Sequence, residues 1–187
     1  MPLAHCLFRF TVNKTQLIKE LQSYRSSFPE EQKFVPPFLT LLESDDAFQR
    51  THLPGHITGS SWIINSDKTK VLLVHHAKLN RWLQPGGHAD GDENVLRVAL
   101  REAEEETGVK NLSVLKQGIF DLDIHIIPDR KDFPQHLHYD IRYLIQANDA
   151  DELIVSEESH DVKWISLDEL ENYNNETSIL RLKQKLF

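Results

Sequence analysis

Apolar positions recur at two spacings along this chain, and the spacing changes near residue 58. Between 14 and 26, Leu17, Ile18 and Leu21 recur at helical spacing, and Asn13 stands where an N-cap belongs. Pro29, Pro36 and Pro37 then interrupt the pattern. A second short helix is expected over Phe38 to Glu43, and a third after Ser44. Residues 1–52 therefore read as a helical arm leading into a domain over 53–187.

Past that point the period shortens. Ser61 to Asn65 and Lys70 to His75 are rich in Ile, Val and Leu, with a turn at Ser66-Asp67-Lys68. Arg81 to Gln84 reads as a short strand ending at Pro85-Gly86-Gly87. The helical period returns from Asp92 to Thr107, where Leu96, Ala99, Leu100 and Ala103 form one stripe and Gly108 takes the C′ position. Leu112 to Ile127 reads as one or two strands, His136 to Ala147 as another, and Val162 to Ile165 as a short one. Ser166 is placed to cap a helix over Leu167 to Tyr173, and a last helix is expected over Thr177 to Lys185. Strands and helices in this order predict a sheet covered by helices, an α/β (α+β) class.

Composition narrows the picture. The 187 residues suit one ordinary domain with some added structure, and the 40% hydrophobic fraction is enough for a core. A net charge of −8 argues against broad nucleic-acid binding, which needs a basic footprint. The single cysteine, Cys6, gives neither an intramolecular disulfide nor a zinc framework. The opening MPLAHCLFRF has no signal-peptide pattern, and no apolar run reaches membrane-span length. A cytoplasmic setting is expected.

The chemistry concentrates in one helix. Glu102, Glu104, Glu105 and Glu106 occupy four of five consecutive positions, after Arg101. Steps of three and four bring Glu102, Glu105 and Glu106 close to one helix face, where like charges repel. Crowded carboxylates of this kind suit a hard divalent cation. An acidic solvated face is the competing account of a bare glutamate run.

The surrounding residues decide between them. Gly87, Glu93, Arg101, Glu102, Glu105, Glu106 and Gly108, with aliphatic Ala103 and Val109, fill every fixed position of G-x5-E-x7-R-E-U-x-E-E-x-G-U. By ordinary residue frequencies a chance match at one start falls below roughly one in a hundred million. The segment thus resembles the Nudix box. Trp82, Pro85 and the run Val162 to Leu170 also resemble features of that family. The resemblance implies an α/β/α sandwich around a mixed sheet, with the box as loop–helix–loop. It implies hydrolysis of a diphosphate in a small nucleotide-type substrate, using Mg²⁺ or Mn²⁺. Glu105 and Glu106 would be the main metal ligands, Glu102 a further ligand or the base, and the Gly86 carbonyl would complete the site. Arg101 would orient a glutamate, and Glu93 would be structural. A general base from a later loop is also expected, and Glu157 and Glu158 stand at a suitable distance, with Glu158 preferred.

A second polar group follows the box. Alternation puts Asp121, Asp123 and His125 on one side of a strand, and His136, His138, Asp140 and Arg142 on one side of the next. One hairpin register pairs His125 with His136, Asp123 with His138 and Asp121 with Asp140. Three readings stand: an exposed polar face, a substrate wall of His125, His136, His138 and Arg142, or an auxiliary metal site. Arg81 and His88, near the box, are further candidates for substrate phosphates. The rivals to small-molecule diphosphate hydrolysis are a ligand-sensing Nudix domain without turnover, an isopentenyl-diphosphate-isomerase-like enzyme and an RNA-decapping one. A small-molecule diphosphate is the expected partner, and a homodimer is possible.

Overall fold

A computed structural model describes residues 13–129 and 133–187. Cys6 and the MPLAHCLFRF segment lie outside these residues, as does part of the connection between the two polar strands. The N-terminal pattern forms three helices: α1 (Lys14–Ser23), α2 (Pro29–Gln32) and α3 (Val35–Leu41). Asn13 caps α1 by accepting from the Gln16 N–H at 3.0 Å. Proline stands in the first turn of both later helices, where the missing N–H costs nothing. No helix follows Ser44. That stretch is a series of turns instead, and the Phe48 carbonyl accepts from Gly91 in the box loop.

The strands are β1 (Gly55–Ile64), β2 (Lys70–His76), β3 (Arg81–Leu83), β4 (Gly86–His88), β5 (Ser113–Val114), β6 (Asp121–Ile127), β7 (His136–Gln146) and β8 (Ser159–Ser166). Among the described residues they form one mixed sheet. Its centre is the parallel pairing of β1 with β7, from Gly55–Leu137 to Ile64–Gln146. The other edge of β1 is shared by β4 and β2. β6 and β5 line the far edge of β7, and β8 lies against β2.

β1 begins six residues before the expected Ser61. Gly55 and Gly59 are poor strand formers, but β1 is buried along its whole length and paired on both edges, so tertiary pairing overrides propensity. Its hairpin with β2 turns at Lys68, in the left-handed region at φ 56°.

Helices cover both faces. On one, Leu17, Leu21 and Phe38 of the N-terminal helices share a core with Ile57, Ile141 and α4 (Val95–Thr107). On the other, Trp62, Ile64, Val71 and Leu73 pack with Leu167, Leu170, Ile179 and Leu182. Ser166 caps a 3-10 turn over Leu167–Glu169, which runs into α5 (Leu170–Tyr173), and α6 (Thr177–Gln184) closes the chain's helices. The result is the expected α/β/α sandwich. No helix among the described residues is long and apolar enough to cross a membrane.

Candidate active site

α4 presents its carboxylates because its apolar stripe is claimed by the sheet. Val95, Val98, Ala99 and Ala103 are buried, and Ser61 donates to the Ala99 carbonyl at 2.8 Å. The helix starts at Val95, later than Asp92, because Asn94 caps it while Asp92 pairs with Arg97. It stops at Gly108, whose φ of 74° is costly for any residue with a Cβ. Gly59 lets α4 approach β1: a Cβ there would stand 2.8 Å from the Val95 carbonyl.

The box glutamates differ sharply from one another. Glu106 is half-buried and accepts from the Gly86 N–H at 3.0 Å. Burial pushes its carboxyl up to about 8, against that hydrogen bond, and the charges of Glu102, Glu158 and Glu105 add to the rise. Glu102 lies against Gly87, where a Cβ would meet its carboxylate. Burial raises Glu102 as well, although Arg101 opposes the shift. Arg101 bridges Glu102 at 2.8 Å and Glu105 at 3.1 Å, and donates to the His88 carbonyl at 3.3 Å. Glu105 is exposed. Glu104 is exposed on another side near Lys110, outside the cluster. Glu93 is a tie within the fold, accepting from the backbone N–H of Lys14 at 2.9 Å. Glu158, in the turn before β8, lies close enough for its charge to act on both Glu102 and Glu106.

This donor set fits a hard divalent ion. Two half-buried carboxylates, a third beside them and a tight Gly-Gly backbone offer oxygen ligands, and one arginine does not balance their charge. A cation there would hold Glu106 ionised.

The second polar group is not exposed. Asp121, Asp140 and Arg142 are at most 2% accessible. The register is also shifted by two from the expected one: His125 faces His138, Asp123 faces Asp140 and Asp121 faces Arg142. Arg142 is therefore surrounded by Asp140 at 2.8 Å, Asp123 at 3.0 Å and Asp121 at 3.2 Å. Burial would lower its pKa, but the three carboxylates outweigh that and raise it. It is a buried ion-pair hub, with no open side for a substrate phosphate. α6 seals the face: Arg181 binds Asp121 at 2.8 Å, and Lys185 adds a contact at 3.0 Å.

At the other end of the same face, the histidines converge. His56, His88, His125, His136 and His138 pack with ring centroids 4.9 to 5.4 Å apart. Burial pushes His88 down to about 4 and His138 to about 2, and neighbouring positive groups add to both. His56 was not among the expected site residues. The signal was its alternation with Thr58 and Ser60, hidden because the strand was expected to begin at Ser61.

Arg81 is exposed and paired with Glu176. Trp82, partly buried against the second core, stacks on His75 at 5.0 Å and meets Tyr173 edge-on at 5.5 Å.

Comparisons with known proteins agree with this geometry. The NUDIX domain model matches residues 55–184. The rat "Bis(5'-nucleosyl)-tetraphosphatase [asymmetrical]" is 33% identical over 100 residues, covering 53% of this chain and 65% of that protein. The chain thus matches somewhat under two thirds of that relative's length. The "Probable DHNTP pyrophosphohydrolase" of Lactococcus lactis subsp. cremoris is 28% identical over 125 residues, 65% of this chain and 74% of that protein. A crystal structure of a NUDIX family hydrolase from Clostridium perfringens aligns with a TM-score of 0.53 and 28% identity, over 70% of this chain and 95% of that one. With a complete box on α4, its carboxylates gathered at Gly86-Gly87 and a domain match running from β1 to α6, the chain belongs to the Nudix family.

Proposed function

We propose that the protein hydrolyses a diphosphate linkage in a small nucleotide-type substrate, using Mg²⁺ or Mn²⁺ held by Glu102, Glu105, Glu106 and the Gly86 carbonyl. The observation that carries this reading is Glu106, a half-buried carboxylate with one N–H partner, crowded by Glu102 and Glu158. When bound, the ion polarises a phosphoryl oxygen and makes water a better nucleophile. Arg101 sets the directions of Glu102 and Glu105. Glu158 is the candidate base, because it shares the field of the two half-buried glutamates from an exposed turn. The names of the rat and Lactococcus relatives support a nucleotide-type substrate.

The test is steady-state kinetics on nucleoside triphosphates, dinucleoside polyphosphates and nucleotide sugars with Mg²⁺ or Mn²⁺. Turnover is expected to stop on chelation, and Glu106→Gln to lower kcat on the order of 100-fold or more. Wild-type turnover in the folded variant would sink the site assignment. Binding without release of product from any compound would favour the ligand-sensing alternative.

A further inference from the structure

We infer that His56, His136 and His138 form a binding site for a divalent transition-metal ion of the zinc class, separate from the glutamate cluster. One ligand atom from each of these residues lies within 4.8 Å of those of the other two. His136 and His138 alternate onto one face of β7, and His56 is the register partner of His138 on β1. Nothing in the diphosphate chemistry proposed above uses them.

Hydrogen-bond chemistry fixes which atoms are available. A carbonyl oxygen can only accept. The Nδ1 of His136 lies 2.8 Å from the Pro134 carbonyl, and that of His56 lies 3.3 Å from the His52 carbonyl. Both rings therefore carry hydrogen on Nδ1, and each neutral ring keeps a lone pair on Nε2. The Nε2 of His136 faces that of His138 at 3.3 Å. The Nε2 of His56, a fully buried residue, has no hydrogen-bond partner. Metal-bound histidines commonly donate their second ring N–H to a carbonyl or carboxylate, which is what His56 and His136 do. Without an ion the His138 Nε2–H donates to His136, so to ligate His138 would move that hydrogen to Nδ1.

The dimensions suit the ion. Zinc–nitrogen bonds of about 2.0 Å in a tetrahedron give nitrogen–nitrogen edges of about 3.3 Å. The His136–His138 pair already has this spacing. The wider separations, at most 4.8 Å, would have to shorten by up to about 1.5 Å on binding.

The surroundings weigh against a site for phosphate. Five imidazoles packed ring to ring repel one another if protonated, so the group as a whole cannot act as a cationic cradle. Neutral imidazole is a ligand for zinc, copper and nickel, whereas magnesium prefers the carboxylate and carbonyl oxygens beside α4. Nor do nearby carboxylates supply an alternative partner. Asp123 is taken by Arg142 and His125, and Asp140 by Arg142, Thr58 and Ser60. The two sites lie back to back across β4: Gly87 faces Glu102, while the His88 ring packs on His56 and His138.

The test uses the full chain, stripped with a chelator and kept in millimolar Mg²⁺. Zn²⁺ is titrated by calorimetry, and Co²⁺ by visible absorption, which reports ligand geometry. One equivalent of Zn²⁺ and a tetrahedral-type Co²⁺ band are expected. His138→Gln should weaken Zn²⁺ binding on the order of 100-fold, with an unchanged circular dichroism spectrum. Glu106→Gln should leave it unchanged. His138 is only half-buried, so its variant carries little folding risk, and a Zn²⁺-dependent rise in unfolding temperature, present in the wild type and absent from H138Q, gives a second reading. No tight binding by the wild type would overturn the proposal. So would Zn²⁺ binding that survives H138Q and disappears in E106Q.

Discussion

Arg142 shows how far a single side chain's role can depend on register. Alternation placed it beside Asp140, Asp123 and Asp121 in the sequence, but a two-residue shift between β6 and β7 decides which of them it faces. The structure gives it all three. Replacing it with methionine leaves buried carboxylates without their counter-charge. Arg142→Met should destabilise the protein by about 3–5 kcal/mol in urea unfolding. A loss below about 1 kcal/mol would mean that Arg181 and Lys185 suffice without it. The glutamates were far more legible, because the helical period fixes which residues share a face. What the period could not show was their inequality. Half-burial of Glu106 and exposure of Glu105 come from how closely β4 approaches α4, a distance set by glycines. The histidine cluster was legible only in part, since His56 lies ahead of the strand expected from Ser61.

At the scale of elements, strong signals were those carried by local chemistry. The hairpin at Lys68, the Ser166 cap and the Gly108 stop all follow from turn and cap residues. Errors fell where distant contacts decide. The turns after Ser44 hold the box loop, and the first half of β1 is a strand because β4 and β7 flank it. α4 begins later than expected because its cap is Asn94. Asn94 accepts from the Arg97 N–H at 3.1 Å, and that bond sets the first turn of the helix bearing the carboxylates. Asn94→Ala should cost about 1 kcal/mol in thermal or urea unfolding. An unchanged midpoint would mean that this bond adds nothing to stability.

The whole molecule is held together by charge as well as by its two apolar cores. Asp121 on β6 binds Arg142 on β7, Arg181 on α6 and Lys185 just beyond it. Burial would raise Asp121 and Asp123, but arginines on two elements more than offset it, lowering Asp121 and bringing Asp123 down to about 2. Because these folded-state values lie below the unfolded carboxylate value, the stability they confer is complete above about pH 4. It is lost as pH falls from there toward about 2. The unfolding midpoint should therefore drop steeply across that window, and Asp123→Asn should flatten the drop. A profile with equal slope in both proteins would remove Asp123 from the account. The parallel pairing of β1 with β7 has a temporal consequence. Its two strands are separated by about half of the domain, from Ile64 to His136. During synthesis at about 5–20 residues per second, β1 emerges several seconds before its central partner exists. Until then one edge of the most buried strand in the sheet is open, which makes this the interval in which a nascent chain would most need shielding from other strands.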